Sequence, residues 1–129
     1  MALNLNSIML GSEDSKRLAD FYGKVLGGPE AEWSDPANGW YGFKAGQGGL
    51  VLGPHSEVKG TNEQPGRLMF NLETSDVKAE FERLKGEGAQ VVAEPYEPGG
   101  EGSGMWMATF ADPDGNYFQL TSPWEPRSS

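Results

Sequence analysis

The chain contains no cysteine and a single histidine, His55. The first absence excludes disulfides, thiolate catalysis and cysteine-ligated zinc or iron–sulfur centres. The second excludes any site that draws two imidazoles from one chain. Basic residues are scarce as well: 10 Lys and Arg stand against 19 Asp and Glu, a formal charge of -9. Phosphate binding needs clustered Lys and Arg, so nucleic acid and anionic membrane surfaces are disfavoured as partners. The acidic balance does not by itself name a cationic ligand, because solubility alone accounts for it in many proteins. No apolar run approaches the roughly 20 residues that a membrane helix needs. The opening Met1-Ala2-Leu3-Asn4-Leu5-Asn6 also lacks the basic and apolar regions of a signal peptide. A cytoplasmic protein is the expectation.

What is present supports a folded globule. Of 129 residues, 36% are hydrophobic, with 4 Trp, 4 Tyr and 6 Phe, while 22% are charged. That length and balance fit one domain, residues 1–129, with a core of its own. Within it the same order of elements is read twice, over residues 3–53 and again over 67–123, with a polar link at 54–66 and a tail at 124–129. Leu3 to Leu10 reads as a strand. Ser12-Glu13-Asp14 then caps a helix whose Leu18, Phe21, Tyr22, Val25 and Leu26 form one apolar stripe. Gly27-Gly28-Pro29 ends it. Short strands are expected near Glu30–Trp33, Trp40–Lys44 and Leu50–Leu52.

In the second half Arg67 to Glu73 reads as a strand, and Ser75-Asp76 caps a helix carrying Val77, Phe81 and Leu84 on one face. Gly86 and Gly88 close that helix, and strands follow at Gln90–Tyr96, Gly104–Phe110 and Tyr117–Ser122. The last two flank Asp112-Pro113-Asp114-Gly115, a tight turn in which Pro113 fixes φ and Gly115 supplies a positive one. A duplicated βαβββ unit explains the matched spacing of Asp14 and Asp76 ahead of their helices. The stretch Pro95–Gly104 is Gly/Pro-rich and reads as a flexible connection or a lid.

Three segments carry a family resemblance. Asp14 to Gly27, Asp76 to Val92, and Asp112-Pro113-Asp114-Gly115-Asn116-Tyr117-Phe118-Gln119-Leu120 resemble the two helices and the last turn and strand of the vicinal oxygen chelate superfamily. That group holds glyoxalase I, bleomycin-resistance proteins, fosfomycin-resistance enzymes and extradiol dioxygenases. The resemblance implies an α+β fold: two tandem βαβββ modules forming an eight-stranded, cup-shaped sheet, usually in a homodimer. It also implies a divalent metal in the active members, held from the first and last strands of each module. The matching positions here are Ser7, Val51, Met69 and Gln119. None is a carboxylate or an imidazole, the ligands such ions need, so no metal and no other cofactor is expected. His55 follows the fourth strand and reads as a solvated loop residue.

Face parity names the rest of the cup. Leu5, Ser7 and Met9 share one face, as do Arg67, Met69, Asn71 and Glu73, and Tyr117, Gln119 and Thr121. The mixture of apolar walls and placed polar groups suits a small organic ligand. Ser7, Met69, Gln119, Arg67, Asn71 and Tyr117 are the expected ligand-binding residues, with Trp106 and Trp40 to stack on it; Trp33 and Trp124 are the other indoles. No catalytic residue is assigned. The expectation is sequestration of an organic molecule, as in the bleomycin-resistance branch, with a metal-using glyoxalase-like lyase or dioxygenase as the alternative.

Overall fold

The computed structural model describes residues 2–123; Trp124 and the rest of the tail lie outside the described residues. The chain forms two compact units that divide between Thr61 and Asn62. Seven strands and two α-helices are present among the described residues, in two mixed sheets.

In the first unit β1 (Ser7–Gly11) pairs in parallel with β3 (Gly48–Gly53), which pairs antiparallel with β2 (Tyr41–Ala45). A parallel pair needs a crossover, and α1 (Ser15–Leu26) supplies it. Asp14 caps that helix by accepting from the Arg17 N–H at 3.1 Å. Leu18 and Tyr22 of the apolar stripe are fully buried with Phe43 and Leu52, while Phe21, Val25 and Leu26 are half-buried. β1 is shorter than the expected Leu3–Leu10. β3 begins only at Gly48, so its register does not reach Leu3 and Leu5, which remain exposed.

The strand expected at Glu30–Trp33 is not formed, which is why the count is seven and not eight. Ala31–Trp33 is a turn of 3-10 helix instead. Glu30 N–H donates to the Gly42 carbonyl at 2.8 Å, as a strand would, but the chain then curls. The Gly42 N–H is taken by the Ser34 hydroxyl at 3.0 Å rather than by a backbone carbonyl. A second 3-10 turn, Pro36–Asn38, follows, with Asp35 and Trp40 bridged on either side of it. The segment therefore straps the edge of β2 through one backbone bond and one side-chain bond.

The second unit has the order β4-β7-β6-β5, with β4 (Phe70–Glu73) parallel to β7 (Tyr117–Thr121) and the others antiparallel. β5 runs from Gln90 to Tyr96 and β6 from Met107 to Ala111. α2 (Val77–Gly86) is capped by Asp76, which accepts from the Ala79 N–H at 3.0 Å, and buries Val77, Phe81 and Leu84. Rings make up the core: Phe81 lies 5.3 Å from Phe110, Phe110 5.7 Å from Phe118, and Phe118 5.8 Å from Phe70. Phe110, Phe118 and Phe70 are register partners across three strands, so one apolar row spans the sheet beneath the helix.

The turn between β6 and β7 forms as its residues dictate. Gly115 has φ +82° and its N–H donates to the Asp112 carbonyl at 2.9 Å. The buried Asp112 carboxylate accepts from the Asp114 and Asn116 N–H groups and from the Asn116 amide. β4 begins three residues later than expected, because Pro65–Arg67 makes a 3-10 turn. Arg67 and Met69 consequently precede the strand.

Two glycine substitutions separate crowding from backbone entropy. A Cβ on Gly53 would lie 2.1 Å from the Trp40 ring, whereas one on Gly23 in α1 meets nothing within 4 Å. Gly53→Ala is expected to lower stability by about 1–3 kcal/mol through overpacking. Gly23→Ala should raise it by about 0.5–1 kcal/mol by restricting the unfolded chain. Urea denaturation of both variants reads the opposite signs.

Candidate functional site

Each sheet presents one face to its helix, and the opposite face carries the residues expected to bind a ligand. Alternation along β7 sends Phe118 and Leu120 toward α2 and Tyr117, Gln119 and Thr121 to the opposite face. Register then sets Gln119 between Asn71 on β4 and Thr109 on β6. The three form a polar row on the face away from the helix, one residue out of step with the phenylalanine row. Gln119 is 7% exposed and Thr109 is 5% exposed. The Gln119 amide N–H donates to Thr109 Oγ1 at 3.1 Å, which satisfies part of what burial would otherwise cost. Tyr117 is half-buried and Asn71 exposed on that same face.

The other expected residues are placed differently. Arg67 is exposed, and its guanidinium folds back on Gln64, with Nη2 2.7 Å and Nε 3.1 Å from Gln64 Oε1. It is tied to its own turn rather than set on a strand face. Met69 is 40% exposed just ahead of β4. Trp106 shares parity with Ala108 and Phe110, and Lys78 Nζ of α2 lies 3.9 Å from its ring centre. The sheet thus separates Trp106 from Gln119. Its backbone is bound to Ser122, the N–H donating to Oγ at 2.9 Å and the carbonyl accepting from the Ser122 N–H at 3.0 Å.

The first unit has a corresponding face. Ser7, Met9, Gly11, Val51 and Gly42 lie on it, opposite the side where Phe43, Leu50 and Leu52 are buried. Ser7 is exposed, and its hydroxyl donates to the Asn6 side chain at 2.9 Å. Glycines floor this face, and larger groups lie over them. The Trp40 ring covers Gly53, Trp33 Cβ and carbonyl cover Gly42, and His55 Cβ with Val58 covers Gly11. His55 is exposed in the loop after β3, its Nδ1 accepting the Glu57 N–H at 3.1 Å. Thr109, Trp33 and the glycine floor were not among the residues expected from sequence. Thr109 is readable only once its register with Gln119 is known, and the glycines only once the rings over them are placed.

The loop between β5 and β6 is held by a carboxylate. Glu97 accepts from the Gly102 N–H at 3.0 Å and the Gly104 N–H at 2.8 Å. These bonds, Gly102 first, hold its pKa below the ordinary value of 4.5, with the Lys78 charge adding a smaller effect.

The family's metal positions do not suit an ion. Ser7 and Val51 in one unit, and Met69 and Gln119 in the other, offer a hydroxyl, a thioether, a neutral amide and an alkyl group. Divalent ions need carboxylate or imidazole donors. Among the described residues no three of His, Cys, Asp and Glu are gathered where they could hold an ion. No helix of the described residues is long and apolar enough to cross a membrane.

The duplicated order of elements, the parallel pairing of first and last strands and the Asp112–Gly115 turn define an α+β protein of glyoxalase type. The Glyoxalase-like domain model matches residues 7–121, and the chain belongs to that family, within the vicinal oxygen chelate superfamily. No curated protein matches the sequence. Solved structures similar to it include TnmS3, an antibiotic binding protein from Streptomyces sp. CB03234, at 27% identity and TM-score 0.71, covering 96% of this chain and 99% of that one. A glyoxalase/bleomycin resistance/dioxygenase family enzyme from Burkholderia phytofirmans PsJN is 18% identical with TM-score 0.71, covering 93% and 98%. TioX from Micromonospora sp. ML1 is 20% identical with TM-score 0.67, covering 95% and 98%.

The Glu97 pKa gives a signed expectation for the loop. A carboxylate whose folded pKa is depressed contributes order above its unfolded value, and that order is lost as pH falls through the folded one. Exchange of the Gly102 and Gly104 amides, corrected for intrinsic rate, should therefore be slow at pH 7 and rise severalfold once pH falls through that lowered pKa. Glu97→Gln should show the faster exchange already at pH 7, without a change in the global unfolding midpoint.

Proposed function

We propose that this protein binds a small organic molecule without a metal, on the sheet faces turned away from its helices, and so sequesters it. The observation that carries the reading is the polar row Asn71–Gln119–Thr109. A neutral, buried amide bonded to a hydroxyl stands where the superfamily's active members place a charged metal ligand. Such a group orients an organic ligand by hydrogen bonding but does not activate one. Taken by itself, the first unit has a corresponding face where Met9, Val51 and the Trp40 ring offer apolar surface of the kind an organic ligand contacts. The similarity to an antibiotic binding protein is compatible with an antibiotic or a related metabolite as the ligand. The homodimer that the resemblance implies, and a cytoplasmic setting, belong to the same reading.

A thermal-shift and Trp-fluorescence screen against a panel of polycyclic and glycopeptide antibiotics tests it. At least one ligand is expected to raise the melting temperature by several degrees, equally with and without EDTA. Gln119→Ala should weaken that ligand by at least tenfold, an effect of about 1.4 kcal/mol or more. Stoichiometric binding of Ni, Zn, Fe or Mn that raises the melting temperature and confers lyase or dioxygenase turnover would overturn the metal-free assignment. A complete failure of the panel would overturn the ligand assignment.

A further inference from the structure

The structure assigns a modification site at Asn38-Gly39: a succinimide forms there without an enzyme, at a rate set by the turn that holds the two residues. This chemistry is separate from ligand binding and does not depend on it. Among the asparagines, Asn38 is the one followed by glycine. It is exposed, and Gly39 is half-buried. The turn demands that glycine, because residue 39 takes φ +81°. The same lack of a side chain leaves the Gly39 nitrogen unshielded beside the Asn38 amide. Attack of that nitrogen on Asn38 Cγ forms a C–N bond, breaks the Cγ–Nδ2 bond and releases ammonia, which carries off the Gly39 proton. Water then opens the cyclic imide. Opening at Cγ leaves aspartate; opening at the Asn38 carbonyl carbon leaves isoaspartate, whose main chain runs through Cβ and Cγ.

The closed turn restrains both reacting groups. The Gly39 N–H donates to the Pro36 carbonyl at 3.1 Å, so the nucleophile is engaged. The Asn38 side-chain amide donates to Asp35 Oδ2 at 2.8 Å, which holds Nδ2 on the Asp35 carboxylate. Paired backbone bonds between Asp35 and Trp40, at 2.8 and 3.0 Å, close the loop around them. Reaction therefore waits on a local opening of this turn, which is less costly than global unfolding. Gly39 is also an anchor. Its carbonyl accepts from Ser15 Oγ at 2.8 Å, and the next residue lays its ring on Gly53. Isoaspartate at position 38 inserts a methylene into the main chain just ahead of that anchor and lifts the Trp40 ring from β3. Aspartate leaves the main-chain path, and so the ring, in place.

Ageing the full chain in mildly alkaline buffer, folded and in guanidinium chloride, tests this by peptide mapping and an isoaspartate assay. Asn38 is expected to convert before Asn6, Asn62 or Asn116. Its conversion should be about tenfold or more faster in the unfolded chain, since the closed turn must first open. Asp35→Ala should speed conversion of the folded chain severalfold, with its melting temperature measured alongside. The isolated isoaspartyl protein should show red-shifted Trp emission relative to Asn38→Asp, which carries the same added charge without the inserted methylene. Conversion of Asn38 no faster than that of Asn6 would overturn the site. Equal rates in the folded and unfolded chain, or an unchanged or slower folded rate in Asp35→Ala, would overturn the restraint by the turn. Emission identical to that of Asn38→Asp would overturn release of the Trp40 ring.

Discussion

The row of rings from Phe81 of α2 through Phe110 and Phe118 to Phe70 is the constraint on which the second unit depends. Three of these rings are register partners on adjacent strands, so burying them fixes both the register and the parity of β4, β6 and β7. A slip of one residue would carry every ring to the other face and every polar partner under the helix. Asn71, Gln119 and Thr109 are neighbours because Phe70, Phe118 and Phe110 are. The candidate polar row is the core row displaced by a single residue.

The first unit solves the same problem with less material. Phe43, Leu50 and Leu52 cover α1, and the opposite face sets Gly11, Gly42 and Gly53 among Ser7, Met9 and Val51. Glycine in a strand weakens it in isolation. Here Gly53 and Gly42 admit a tryptophan ring and a crossing backbone that no Cβ would allow, and at Gly11 a Cβ would press on His55 at 3.0 Å. The strap at Glu30–Trp40 lies on the sheet with the Trp40 ring over Gly53 and the Trp33 Cβ and carbonyl over Gly42, and Ser34 takes the place of a backbone acceptor for Gly42. Loss of a regular strand and gain of an aromatic face are two consequences of one local conformation.

Where short-range chemistry decides the structure, the sequence was legible. Both helices start at the aspartates read as caps, β5 has the bounds expected of it, and the Asp112–Gly115 turn closes on its own side chain. Alternation in Tyr117–Thr121 correctly separated Gln119 from Phe118. Long-range facts were not legible. The 3-10 turn at Ala31–Trp33 depends on Ser34 meeting Gly42, eight residues away. Arg67 and Met69 were carried onto a strand by alternation alone, which cannot see that Pro65 opens a turn and that Gln64 captures the guanidinium. Trp106 was expected to stack on the ligand. Its parity with Phe110 and its contact with Lys78 decide its face instead.

Gln119 shows how a fold can keep a position and change its chemistry. A carboxylate buried there would need a cation or several donors to offset its desolvation. With Ser7, Val51 and Met69 at the matching positions, no set of anionic or imidazole ligands exists to recruit a metal for that purpose. An amide removes the charge and keeps a donor and an acceptor. The donor is used on Thr109, a partner supplied by the adjacent strand and fixed by the same register that stacks Phe110 on Phe118. The bond to Thr109 offsets part of the cost of burying Gln119, and under the proposed function the amide would recognise shape and hydrogen bonding rather than polarise a bond.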